Sequence, residues 1–383
     1  MTIRLAVVQH GDFLQARQAV AAGSESYFGM THSVQVLDRL LAGHPHLVVS
    51  LNAPAGDAME GDGRYVGCPA PAGGRLPWQV TAWRWAGRII AELERFRPTH
   101  LLTRIGGVTA ARILGWADRR QVPTLAVFHG YLSTGTVRDR LTNRWLAHRL
   151  NRPHVARAAN HRRPAANSLI RAGVDSAKVA AFDWPGQRRP HDLPARTDFN
   201  AESPELFYCG TLDRLKGVID LVEAVGLLRR QGLAVRATLA GDGPDRKELQ
   251  QAIDRLPPGA VRLIGQVPNA EVFTRMRAAD VVVVPSHHGF SEGFPKALTE
   301  GLASRTPVVC SDHPVFVEAL RGSEGVRWFR AADPASLAAA VGELIGDPAL
   351  YRRTSDAGIE AYERDDSPLM FGDLIDEWAA GMK

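Results

Sequence analysis

Cysteine is scarce in this chain: Cys68, Cys209 and Cys310 stand alone, with no Cys-x-x-Cys spacing. That argues against a disulfide framework or a cysteine zinc site and leaves buried, reduced thiols as the expectation. No apolar run reaches the roughly 18 residues of a spanning helix, so none is expected. The opening MTIRLAVVQHG carries one positive charge and a short β-rich run ending on glycine. A secretory apolar region is longer and ends in small residues, so this reads as a first strand and the cytoplasm as the expected location. Lysine is rare too: of 46 Lys and Arg residues, only Lys178, Lys216, Lys247, Lys296 and Lys383 are lysine, a bias of the kind a GC-rich genome imposes. No Asp-x-Asp pair occurs, so no metal is expected. What remains is ordinary for a soluble protein, 45% apolar and 23% charged with a net charge of +5. At 383 residues the chain outgrows a single core, and two domains are expected.

Short β-branched runs alternate with helical spacing. IRLAVVQ and HLVVSLN read as strands around THSVQVLDRLLAG, whose Val34, Leu37, Leu40 and Leu41 recur at helical intervals before a glycine. A Gly/Pro-rich loop is expected from 53 to 77. Helix, strand, helix and strand follow in PWQVTAWRWAGRIIAELERF, THLLTRIG, VTAARILGWADRR and PTLAVFHG. PAANSLIRAGV is expected to form a strand and a short helix. Residues 184–204 are rich in Pro, Arg and Asp and read as linker. In the second half LFYCGTL, VRATLAGDGP, VRLIG, DVVVVPS and TPVVCS read as strands, with amphipathic helices between them. A run such as VVVV means a strand buried on both faces. The expected class is α/β: two Rossmann-like, doubly wound parallel-sheet domains facing a cleft. The expected division is a first domain 1–190, a linker 191–204, a second domain 205–365 and a C-terminal helix 366–383, packing back onto the first domain or the second.

SEGFPKALTEGLA sets Glu292 and Glu300 on either side of Pro295, after the strand Val281–Val284. Proline suits a first helical turn, where a missing N–H costs nothing. The free N–H groups there attract anions, phosphate above all. A carboxylate farther along the helix can accept from the two hydroxyls of a ribose, and one in the loop from a sugar. A sugar linked through a diphosphate to a nucleoside satisfies all three features. A capping acid beside an unrelated surface acid would leave the same letters, so the strand-loop-helix setting carries the reading.

CGTLDRLKG, LAGDGP, VRLIGQV, AADVVVVPS, SEGFPKALTEGLASRTPVV and VFVEAL, in this order and spacing, resemble the donor-binding half of retaining glycosyltransferases of family 4, whose fold is GT-B. The resemblance is specific from about 205 to 320 and looser over residues 1 to 195. It implies that Glu292 contacts the donor sugar, that Glu300 holds the nucleotide ribose, and that the backbone of Gly293, Phe294 and Pro295 meets sugar and diphosphate. Gly210, Leu212, Lys216 and Gly217 fit the family's Gly-Arg-Leu-x-x-x-Lys-Gly pattern, with Thr211 in place of the arginine. Lys216 then neutralises the diphosphate, and Arg214 is the candidate to compensate. In FGMTHSV, Gly29 precedes a helix expected to be capped by Thr31 or Ser33 and resembles the family's glycine loop over the diphosphate. His129 ends VFHG at the rim of a buried strand and resembles the histidine placed near the transferred sugar. His10, Asp12 and Arg104 are candidates for the acceptor side. Two further departures are Arg305, where the family has glycine, and FDWPG at 182–186, where relatives have a Pro-Asn-Gly turn.

The implied activity is retaining transfer of a hexose from a UDP- or GDP-sugar to a hydroxyl of a sugar, lipid-linked or small-molecule acceptor. It needs no cofactor, and the catalytic candidates are His129, Lys216 and Glu292. Rival readings are a sugar-nucleotide epimerase or hydrolase, with His10, Asp12 and His32 as spare acids and bases, and a non-catalytic scaffold subunit. The stretch 138–163 sets eight arginines against the single acid Asp139 and puts Leu141, Trp145, Leu146 and Leu150 on one helical face. It reads either as a core-packed helix with a basic outer face or as peripheral contact with the inner face of a membrane. No nucleic-acid-binding module accompanies the charge, and no nucleic acid partner is expected.

Overall fold

The computed structural model describes residues 2–23, 25, 29–69, 78–132, 135–185, 189–364, 367 and 369–382. They divide into two compact units, Met1–Pro185 with Ser367–Lys383, and Gly186–Asp366. Each is an α/β unit with its own sheet and core.

In the first unit the described strands are β1 (Leu5–His10), β2 (His46–Leu51), β3 (Gly56–Glu60), β4 (Gly63–Cys68), β5 (His100–Arg104), β6 (Thr124–Phe128), β7 (Val155–His161) and β8 (Val179–Phe182). Their order is β3-β4-β2-β1-β5-β6-β7-β8, parallel throughout except for the antiparallel edge pair of β3 and β4. The strand order reverses between β1 and β5, which makes the carboxyl ends of these two strands the unit's switch point. β1 and β6 are buried along almost their whole length, as strands covered by helices on both faces must be.

Four expectations are corrected here. The segment expected as one long loop from 53 to 77 contains the β3–β4 hairpin, turned at Gly61 with φ 56°; residues 70–77 of it lie outside the described residues. Its glycines and charges mask a strand whose partner β2 lies elsewhere in the sequence. PAANSLIRAGV holds no strand: the helix Arg162–Arg171 runs through it, and the strand, β7, comes earlier, inside the basic stretch. The helix Met30–Leu41 starts at Gly29, whose φ of 79° ends the preceding chain, so Thr31 and Ser33 lie inside the helix and do not cap it. Finally, the helix Val137–Leu150 does not bury one apolar face, because Leu146 and Leu150 enter the core while Leu141 stays 65% exposed.

The terminal helix Phe371–Ala380 packs on Met30–Leu41, burying Phe371, Leu374 and Ile375 in the same cluster as Val34 and Leu37. That amphipathic face is worth several kcal/mol at about 1.5–3 kcal/mol for each large apolar side chain.

The second unit holds β9 (Glu205–Cys209), β10 (Arg236–Ala240), β11 (Val261–Gly265), β12 (Val281–Val284), β13 (Val308–Ser311) and β14 (Val326–Phe329). The order is β11-β10-β9-β12-β13-β14, and every pair is parallel. β9 is the first strand and lies at the centre, so the switch point falls between β9 and β12. Residues ahead of β9 are tied into this unit: the Arg196 backbone donates to Ser355 Oγ at 2.7 Å, and its guanidinium meets Asp280. Among the described residues no helix is long and apolar enough to cross a membrane. All three cysteines are free, Cys68 and Cys310 buried and Cys209 half-buried.

Candidate functional site

At the switch point of the second unit two loops leave the sheet side by side. The first follows β9. Gly210 N donates to Ala240 O and Leu212 N to Asp242 O, which folds the loop onto the turn after β10. Gly241 has φ 144°, and a Cβ on it would stand 1.9 Å from Gly210 O, so only glycine permits this approach. Asp213 caps a short turn, Arg214–Lys216, closed by Gly217 at φ 71°. A Cβ on Gly217 would lie 2.0 Å from Pro285 O, and that contact brings the loop after β9 against the loop after β12.

The contact joins Lys216 to Glu292, with Nζ 2.5 Å from Oε1. Ser286 Oγ donates to the same oxygen at 2.6 Å, and Lys216 Nζ stands 4.3 Å from the centre of the Phe290 ring. Glu292 is 5% exposed. A carboxylate buried this far persists because an ammonium and a hydroxyl both point at it. Glu300 lies just over one turn into the helix Lys296–Ala303, which has Pro295 at its cap position and no side-chain cap on its first N–H groups. Gly293, Phe294 and Pro295 are buried ahead of it, with Phe294 edge-on to Phe316. Burial pushes the Cys209 thiol up to about 12; the charge of Glu300 pushes the same way and that of Lys216 the other. Both charged groups are therefore within electrostatic reach of the end of β9. Burial likewise holds the Tyr208 hydroxyl well above its usual range, and this hydroxyl donates to Thr211 O at 2.7 Å. Thr211 is exposed beside it. Arg214 points elsewhere, donating to Glu248 on the next helix.

The first unit has its own cluster. His10 ends β1 and is exposed, and Arg104 ends the adjacent β5, donating to Gln9 Oε1 at 3.0 Å with its guanidinium 5.0 Å from the Phe371 ring. Asp12 caps the helix Phe13–Ala21 by accepting from Gln15 N. His129 follows β6 and stacks on Trp184, ring centres 6.0 Å apart and planes 13° from parallel. A Cβ on Gly29 would meet the same indole at 3.1 Å, so Trp184 gathers Gly29 and His129. The His129 imidazole is pushed well below the usual histidine range, first by desolvation and then by the positive neighbours Arg104, His161 and His10. The residue as a whole is nonetheless exposed. Sequence reasoning missed Ser286, Phe290 and Trp184; the position of Ser286 directly beyond a buried strand was the available signal for the first.

Comparison with known proteins bears on the second unit most directly. Residues 191–361 match the family model described as glycosyl transferases group 1. Glycogen synthase of Mycobacterium tuberculosis is 35% identical over 193 residues, 50% of this chain and 42% of that protein. The phosphatidyl-myo-inositol mannosyltransferase of Mycobacterium leprae is 36% identical over 164 residues, 43% of this chain and 40% of that one. The chain thus spans about two fifths of the length of these curated relatives. Among solved structures, sucrose-phosphate synthase from Thermosynechococcus elongatus aligns over 99% of this chain and 96% of its own with a TM-score of 0.62 and 19% identity. The Anabaena protein HepE, in complex with UDP and glucose, aligns over 100% of both chains at 0.63 and 14%. At such identities the likeness is one of fold. This chain therefore has the two-unit α/β fold of these solved proteins, and its residues 191–361 are similar to glycosyl transferases group 1.

Proposed function

We propose that the chain is a retaining glycosyltransferase that moves a hexose from a nucleoside-diphosphate sugar to an acceptor hydroxyl. The observation that carries this reading is the pairing of Lys216 with buried Glu292 at the second unit's switch point, with Glu300 and the uncapped start of Lys296–Ala303 beside it. A diphosphate suits that place: the ammonium supplies a point charge, and the positive end of the helix, which no side chain caps, favours an anion. Glu300 accepts from the ribose hydroxyls and Glu292 from the sugar. UDP is the first nucleotide to try, given the ligands named for the Anabaena neighbour.

In the reaction the anomeric C–O bond to the diphosphate breaks as the bond to the acceptor oxygen forms on the same face. The acceptor proton passes to a diphosphate oxygen. Charge grows on the leaving group, so stabilising it is the main catalytic task, and Lys216 with the helix start performs it. Arg214 contributes only by leaving Glu248. Gly29 is proposed for the donor diphosphate, His10 and Arg104 for the acceptor and His129 for the sugar, while Asp12 acts on the acceptor side through its cap.

Calorimetric titration with UDP, GDP and ADP tests the reading, followed by Glu300→Ala. One nucleotide should bind, and the substitution should weaken it by about 10- to 100-fold, the scale of hydrogen bonds to a charged group. Absence of binding by all three, or unchanged affinity in Glu300→Ala, would move the scaffold reading ahead.

A further inference from the structure

Glu292 sits in a loop whose shape is set from the neighbouring strand. Just beyond β13, His313 is fully buried. Its Nδ1 is 3.3 Å from the Val315 backbone nitrogen, which can only donate, and its Nε2 is 3.0 Å from the Phe290 carbonyl oxygen, which can only accept. These two partners fix a neutral imidazole with its proton on Nε2. The same Phe290 carbonyl accepts from the Glu292 backbone N–H at 2.9 Å, and the Phe290 ring stands against Lys216 Nζ. Two residues earlier, Ser311 Oγ donates to the Ser286 carbonyl at 2.5 Å, and Ser286 Oγ holds the Glu292 carboxylate. Glu292 is thus gripped at both ends from one short segment, its backbone through Phe290 and its carboxylate through Ser286.

We propose that His313 is a positioning residue, assisted by Ser311: it fixes the loop after β12 so that Lys216 and Glu292 are presented together to the donor diphosphate and sugar. The proposal rests on the donor reading above for its ligand, while the loop-setting role stands on the hydrogen bonds alone. The bland account is that His313 merely caps the helix Pro314–Leu320, since it accepts from Val315 N. The two accounts separate through the two ring nitrogens. Asparagine places its amide oxygen near the position of Nδ1 and keeps the cap; glutamine places its amide nitrogen near Nε2 and keeps the tie to Phe290.

The test is backbone hydrogen exchange across residues 286–292 together with nucleotide titration, in His313→Asn, His313→Gln and Ser311→Ala. His313→Asn should exchange faster at Glu292 and bind nucleotide more weakly, each by on the order of ten-fold for one lost hydrogen bond. His313→Gln should stay close to the parent protein, and Ser311→Ala, which leaves the cap untouched, should repeat the asparagine phenotype in weaker form. The opposite order, or equal behaviour of the two His313 variants, would overturn the proposal in favour of capping. The expected exchange pattern in a protein that binds none of UDP, GDP or ADP would remove the donor reading and leave the positioning role in place.

Discussion

Arg305 occupies a backbone conformation that suits glycine. It follows the helix Lys296–Ala303 with φ 62°, in the left-handed region, where an L side chain costs about 1–2 kcal/mol. Its guanidinium is 5% exposed, its Nε and Nη1 lack hydrogen-bond partners, and its ion pair with Asp356 is long at 3.5 Å. Burial works against its charge, and Asp356 offsets that only in part. Arg305→Gly should therefore stabilise the second unit by about 1 kcal/mol, raising its midpoint by about 2–4 °C in a thermal melt. A fall in the midpoint would mean that the buried side chain packs to better effect than its hydrogen bonding suggests. The sequence marks Arg305 as an oddity, but the cause, a dihedral angle, appears only in the fold. Glu292 and Glu300 were legible because their loop and helix are set by local signals. Ser286 and His313 were not, because their partners lie 6 and 23 residues away along the chain.

At the scale of elements, the helix Val137–Leu150 is the informative one. Val137 and Leu141 are 64% and 65% exposed, with Arg140 and Arg144 exposed on the same helix. Trp145 on it stacks on Trp83, itself 51% exposed and covered by Arg112 at 4.1 Å. Apolar and aromatic groups among arginines suit an anionic lipid surface. Co-sedimentation with phosphatidylglycerol vesicles should fall several-fold in a Trp83→Asp, Leu141→Asp double variant, each charge opposing both burial and the surface potential. Equal sedimentation of parent and variant would leave these groups as a solvent-facing rim. The 3.6-residue period placed this helix, yet it could not say which leucines enter the core, since a neighbouring helix claims only Leu146 and Leu150. The β3–β4 hairpin escaped for a related reason: β4 is a strand because β2 offers it an edge, not because its own residues favour one.

For the whole molecule, pH is the useful variable. His100, His154 and His313 are buried, and each is pushed below the usual 6.5, in every case mainly by desolvation. A lowered folded pKa means that below about pH 6.5 the unfolded chain binds protons the folded protein refuses. Stability is then full above that value and is lost as pH falls from it through the folded pKa values. The lowered carboxylates Asp57, Asp118 and Asp333 titrate further down and leave this window to the histidines. Melting temperatures should accordingly drop between about pH 7.5 and pH 5.5, and a flat profile would show that these rings are more open to water than their packing implies. On this scale the sequence alone determined the class, since alternating β-branched runs and helical periods permit little else, and it determined the strand-loop-helix motif that carries Glu292 and Glu300, whose residues are close in sequence. Tertiary structure decided the rest. It chose the sheet order that puts β9 beside β12, the approach of Gly217 to Pro285 that joins Lys216 to Glu292, and the meeting of Gly29 and His129 on Trp184. Each of these depends on which distant backbones pack together, and that choice is made by burial over the whole chain and not by any local run of residues.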